Sequence, residues 1–149
     1  MRILALDYGR ARIGLALSDP KGIIASPIGK TSAKDLDKAI AELAEKVRVE
    51  KVELIMCGLP LFPSGKMSDI ANEAMVFGNR LSQTTNIPVD FYNETYSTVM
   101  AEEHIKQNLG IKNPKKIGEM VDTMAAAMLL QEYLDTKRYA SLSERSRPV

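Results

Sequence analysis

The sequence predicts an α/β domain: a five-stranded mixed sheet in the order 3-2-1-4-5, strand two antiparallel to its neighbours, with helices flanking the sheet. Three observations carry this. Three apolar runs at the start of the chain are joined by links too short for anything but antiparallel hairpins. Two further apolar runs are separated by amphipathic segments of helical spacing, the pattern of parallel strands joined by crossovers. Right-handed crossovers then place strand four beside strand one, which makes strand one central. The chain has 149 residues and is 45% hydrophobic, enough for one well-buried core and too little for two ordinary domains.

Strand one is the apolar run Ile3 to Leu6, which ends in Asp7 and a turn at Gly9. Ile13 to Leu17 forms strand two, and Ile23 to Ile28, after the turn at Pro20 to Gly22, forms strand three. Ser32, with Asp35 three residues on, marks a helix N-cap, and Leu36, Ile40, Leu43 and Val47 carry the apolar stripe of a helix over about 33–49. Val52 to Cys57 is strand four and stops in Gly58. A loop over 61–66 leads to a second helix capped by Ser68 or Asp69, with Ile70, Ala74, Phe77 and Leu81 on one face. Pro88 to Tyr92 is strand five. Ser97 or Thr98 caps a helix to about Asn108, stopped by Gly110, and Asn113 with Pro114 suits the opening of a helical turn. The last helix, about 119–136, is apolar nearly all round and is expected to lie deep against the sheet. From Lys137 onward the chain is polar and expected to fray. The domain is thus expected over residues 1–138, with 139–149 a flexible tail.

Composition narrows the function. Twenty basic against 19 acidic residues leave a charge of +1, so any site for a polyanion is local. The single cysteine, Cys57, forms no internal disulfide and sits in an apolar strand, which fits a reducing cytoplasm. No run of 18 apolar residues occurs, so no membrane partner is expected.

Strands one, four and five end on one rim, where open α/β sheets bind ligands. That rim is expected to collect Asp7, Gly58 and Glu94, and Asp122 joins them from an otherwise apolar helix in which Ala125 and Ala126 permit close approach to the sheet. Three converging carboxylates repel one another unless divalent cations with oxygen ligands lie between them. Two such ions about 3.5 to 4 Å apart can activate a water and stabilise a leaving oxygen in phosphodiester cleavage. Each carboxylate has a plainer alternative: a turn aspartate bound to its own backbone for Asp7, a solvated loop residue for Glu94, and an exposed first-turn residue favoured by the helix dipole for Asp122. Gly9, Arg10, Arg12, Gly58, Lys66, Lys115 and Lys116 are the candidates for substrate contacts. His104 has no second His or Cys at ligand spacing, and the stretch from Gly58 to Lys66 departs from a P-loop because six residues separate its glycines.

Four segments together, LDYGRARIGLALSD, CGLPLFPSG, NETYST and VDTMAAAMLLQEYLD, resemble the YqgF family, also called RuvX, of pre-16S rRNA nucleases with RNase H-like fold. The resemblance spans about residues 3 to 135. It implies a metal-dependent nuclease using Mg²⁺ or Mn²⁺, with Asp7, Glu94 and Asp122 as catalytic residues and metal ligands. It also implies a nucleic-acid partner, precursor 16S rRNA or another structured RNA, and a cytoplasmic monomer or weak homodimer. Asp19, in the Ser-Asp pair after strand two, is read as structural. One departure stands out: where the family usually has Asp-Glu-Arg, this chain has Asn93, Glu94 and Thr95, losing an arginine suited to hold a phosphate. The alternatives are a resolvase acting on branched DNA such as Holliday junctions, an ATP-binding module built on a related sheet, and a nucleic-acid-binding factor of weakened activity.

Overall fold

The structure, a computed structural model, describes residues 1–62, 64–93, 107, 110 and 113–145, without the side chains of 118, 119, 122, 123 and 139–145. The expected helix over 97–108 lies outside the described residues except for Gln107, which is helical, and so does His104.

Five strands form one sheet in the order β3-β2-β1-β4-β5, as expected. They are β1 (Ile3–Tyr8), β2 (Arg12–Ser18), β3 (Ala25–Ser32), β4 (Leu54–Leu59) and β5 (Val89–Asn93). β1–β2 and β2–β3 are antiparallel, and β1–β4 and β4–β5 are parallel. The helices are α1 (Leu36–Val49), α2 (Asp69–Thr85) and α3 (Pro114–Arg145).

Side chains alternate across a strand, so β1 divides its residues between two cores. Leu4, Leu6 and Tyr8 face the larger one, with Ile13, Leu15 and Leu17 of β2, Ile55 and Cys57 of β4, Leu43 of α1 and Phe77 of α2. Ile3 and Ala5 face the other, with Ala16, Met56 and, from α3, Ala126, Leu129, Leu130 and Leu134. The α3 side is built of small groups near the rim: Ala5, Ala16, Ala125 and Ala126 are fully buried. Small side chains let a helix ride close to a sheet, as the alanine pair predicts.

Several boundaries differ from expectation for local reasons. β3 begins at Ala25, not Ile23, because the Asp19 carboxylate accepts the backbone N–H groups of Ile23 and Ile24, both at 2.7 Å, and holds them in the turn. It then runs on to Ser32, paired with Arg12. Ser32 is thereby occupied as a strand residue. The N-cap of α1 is Asp35, which accepts from the Lys38 N–H at 3.2 Å. α2 begins where expected, capped by Ser68, whose Oγ accepts from the Ala71 N–H at 3.1 Å. β4 and β5 are shifted to 54–59 and 89–93. α3 starts earlier and ends later than 119–136. Asn113 Oδ1 accepts the Lys115 N–H at 3.0 Å and Pro114 takes the first position, where a missing N–H costs nothing. At the other end, good helix formers continue without glycine or proline to Arg145.

Candidate active site

Asp7 is the last-but-one residue of β1, half-buried, and by alternation its side chain lies on the same face as Ile3 and Ala5, the face covered by α3. Its partner on β2 is Gly14. On β4 the register Leu6 to Cys57 places Gly58 next. Both glycines are buried, so the positions flanking Asp7 carry no side chain. Beyond Tyr8 the chain turns sharply at Gly9. A Cβ built there would sit 2.7 Å from the Arg12 carbonyl oxygen, so the turn admits glycine because it closes on itself.

The path of α3 follows from its contacts. Leu134 reaches Gly22, whose own neighbour is the Met1 carbonyl, and Gln131 bonds across to the backbone of β3, accepting from Ala25 at 2.9 Å. The C-terminal half of α3 thus covers the end of the sheet where β1 begins. Asp122 lies twelve residues before Leu134, about 18 Å back along the helix. The step from Ile3 to Asp7 is about 13 Å along β1. The backbone of Asp122 is therefore on the portion of α3 toward the Asp7 end. Its side chain is outside the described atoms, and Glu94, which follows the last residue of β5, lies outside the described residues. The expected three-carboxylate cluster is thus represented by Asp7 alone. Among the described residues there is no group of three acidic, histidine or cysteine side chains arranged for a metal ion.

The basic candidates divide. Arg10 Nε donates to Glu73 Oε2 of α2 at 2.8 Å, an exposed ion pair on the α1–α2 side of the sheet. Its guanidinium is turned toward that pair, so its charge is partly matched before any polyanion arrives. Arg12, Lys66, Lys115 and Lys116 are exposed, Lys66 in the loop after β4 and the last two in the first turn of α3. Asp19 is structural, as expected. It accepts from the backbone of Ile24, Ile23 and Lys21, and the bonds to Ile24 and Ile23 hold its carboxyl below the usual range. On the α3 face near β5, the Tyr133 hydroxyl donates to Asp90 at 2.7 Å, and burial together with that carboxylate raises the tyrosine pKa.

One feature of the rim had no signal in hydropathy. Phe62, in the loop after β4, is 55% exposed beside Lys66. Nothing in the sequence marks it, and its exposure is visible only in the fold. Among the described residues, no helix is long and apolar enough to cross a membrane.

Residues 1–136 match the family described as RuvX: Holliday junction resolvase. A Chloroflexus aurantiacus protein, named as a candidate pre-16S rRNA nuclease, is 38% identical over 136 residues, covering 91% of this chain and 88% of its own. A Clostridium kluyveri protein of the same name is 40% identical, covering 91% and 97%. Among solved structures, Thermus thermophilus RuvC superposes with a TM-score of 0.58 at 15% identity, covering 93% of this chain and 97% of that one. The fowlpox virus resolvase bound to Holliday junction DNA gives 0.55 at 14%, covering 92% and 99%. The sheet order and its helices are thus those of the RuvC-like, RNase H-like fold, and the chain belongs to the RuvX family.

Proposed function

We propose that this chain is a metal-dependent nuclease that hydrolyses phosphodiester bonds in structured RNA, precursor 16S rRNA in particular. Residues 1–138 form its domain, and Asp7, Glu94 and Asp122 are its catalytic carboxylates. The observation that carries the reading is the position of Asp7: a half-buried carboxylate at the end of the central strand, on the α3 face, between two positions without side chains. Family membership and the names of the relatives support the reaction class.

The donor set suits Mg²⁺ or Mn²⁺, since carboxylate oxygens are the ligands such hard ions take and the glycine-flanked position leaves room beside Asp7. Asp7, with Glu94 and Asp122, would hold the ion. When bound, such an ion lowers the pKa of water and offsets the negative charge that builds on the phosphoryl oxygens. The chain's own part is to fix Asp7 rigidly, through a strand hydrogen-bonded on both sides, and to aim the half-buried carboxylate at the rim. The exposed cations at 12, 66, 115 and 116 then supply salt-dependent attraction for the backbone phosphates.

The test is cleavage of a precursor-16S fragment and of a four-way DNA junction by one preparation, with and without Mg²⁺ or Mn²⁺, alongside Asp7→Asn. Asparagine keeps the shape and removes the charge. A loss of at least about a thousandfold in kcat, some 4 kcal/mol, is expected, with the fold intact and stability equal or higher. Vigorous cleavage by Asp7→Asn, or by wild type in excess chelator, refutes the mechanism. Cleavage confined to the junction keeps the mechanism and replaces the substrate, an outcome kept open by the family's description and the resolvase-like fold.

A further inference from the structure

The loop between β4 and α2 presents an aromatic ring on a braced turn at the candidate active-site rim. Leu61 N–H donates to the Leu59 carbonyl at 3.0 Å, Phe62 N–H to the Lys66 carbonyl at 3.0 Å, and Gly65 N–H to the Phe62 carbonyl at 2.8 Å. The Ser68 hydroxyl donates to the Pro60 carbonyl at 2.7 Å while capping α2, which ties the loop to the helix. Gly65 has φ +83°, which closes the turn without strain. Leu61 packs against the core, yet Phe62 is 55% exposed, and Lys66 across the turn is exposed with it. An exposed apolar ring at a hydrogen-bonded turn, with an exposed lysine across that turn, matches what single-stranded nucleic acids bind: a stacking face for a base and a positive group for the adjoining phosphate.

Position decides which base. Phe62 follows Gly58 by four residues, so its Cα is within about 14 Å of Gly58, which lies beside Asp7. Stacked nucleotides advance about 3.4 Å each. We propose that Phe62 stacks on an unpaired base within about four nucleotides of the phosphate held at Asp7, with Lys66 on the neighbouring phosphate. This makes an unpaired flank a requirement of the substrate. A base locked in a duplex has both faces covered and cannot accept the ring. The inference rests on the nuclease reading for the identity of the scissile phosphate, but the stacking itself is measurable without cleavage.

The chain contains no tryptophan, so Phe62→Trp introduces a single reporter at the site in question. With chelator present to prevent cleavage, the full-length Phe62→Trp protein is titrated with a single-stranded oligoribonucleotide and with a blunt, fully paired RNA duplex. Occupancy is followed independently by the anisotropy of an end label. Quenching of tryptophan emission by the single strand, and not by the duplex at equal occupancy, is expected. Phe62→Ala should raise Kd for the single strand roughly 5- to 150-fold, the range for loss of one stacked base, while Phe62→Trp keeps it. The melting temperature of Phe62→Ala should match wild type, since the ring is exposed.

With Mg²⁺ or Mn²⁺ added, the change should fall on KM, with kcat within about twofold for unpaired-flank substrates. Emission that ignores the single strand, equal quenching by the duplex, or an unchanged Kd for Phe62→Ala overturns the proposal. Quenching without any metal-dependent cleavage by wild type keeps the stacking face and removes the nuclease reading. Cleavage without quenching does the reverse.

Discussion

Gly9→Ala tests the link between the first turn and the site it carries. The new Cβ would lie 2.7 Å from the Arg12 carbonyl oxygen, against a usual carbon–oxygen approach of about 3.3 Å, a deficit of about 0.6 Å. Both partners are backbone of the same hairpin, so no flexible side chain can yield, and the turn itself must open. Forced overpacking of this kind costs about 1 to 3 kcal/mol. For a domain of this size that lowers the melting temperature by roughly 2 to 12 °C. The turn begins two residues after Asp7, and a displacement near 1 Å in a reacting group costs about a hundredfold. Cleavage should therefore fall about tenfold or more. Differential scanning calorimetry and initial rates on a fluorogenic RNA, run on the same preparation, give both numbers. An alanine variant that melts with wild type refutes the steric argument. One that melts lower but cleaves at the wild-type rate refutes the claim that this turn positions Asp7.

Two further changes probe the frame. Ser18 is 1% exposed and its Oγ accepts the Ile3 N–H at 2.7 Å, so Ser18→Ala leaves a buried donor unpaired. A loss of about 1 to 3 kcal/mol in urea unfolding is expected, and a loss under about 0.5 kcal/mol would mean that a water or a shifted strand replaces the bond. The Asp19 carboxyl is held below its ordinary value by the N–H groups of Ile24 and Ile23, so it stabilises the fold above the unfolded pKa of about 3.9, and that stability disappears as pH falls through the lower folded value. The gap in melting temperature between wild type and Asp19→Asn should accordingly be constant from pH 7 to about 5 and shrink below about 4. A gap that does not shrink at all between pH 5 and pH 3 would contradict the assignment.

The sheet order was legible because it depends on link lengths and apolar runs, both local to the sequence. Where the boundaries differ from expectation, a longer-range or side-chain effect intervenes. The start of β3 was hidden because Asp19 captures Ile23 and Ile24, a bond that spacing alone does not reveal. The spacing pointed to Ser32 as the N-cap, but Ser32 is paired with Arg12 in the sheet, and the cap falls three residues on, at Asp35. The ends of α3 are not legible in hydropathy, because residues such as Lys, Arg, Gln and Glu are polar and also good helix formers. At the candidate site, the place of Asp7 followed from β1 itself. The engagement of Arg10 by Glu73, 63 residues away, and the exposure of Phe62 could come only from the assembled fold.

The seating of α3 also sets an order of events. β1, β2 and β3 pair through short links, while α3 meets β3 at a sequence separation of 106, as between Ala25 and Gln131. Contacts of such separation carry a large loop-closure cost and form late. At synthesis rates of about 5 to 20 residues per second, the ribosome takes roughly 5 to 20 seconds to span that interval. For that time the face of Ile3, Ala5 and Ala16, which Met56 joins once it is made, has no helix of its own to cover it. A nascent chain of this protein therefore carries an uncovered apolar face until its last helix emerges, and that helix both ends the exposure and delivers the backbone that carries Asp122.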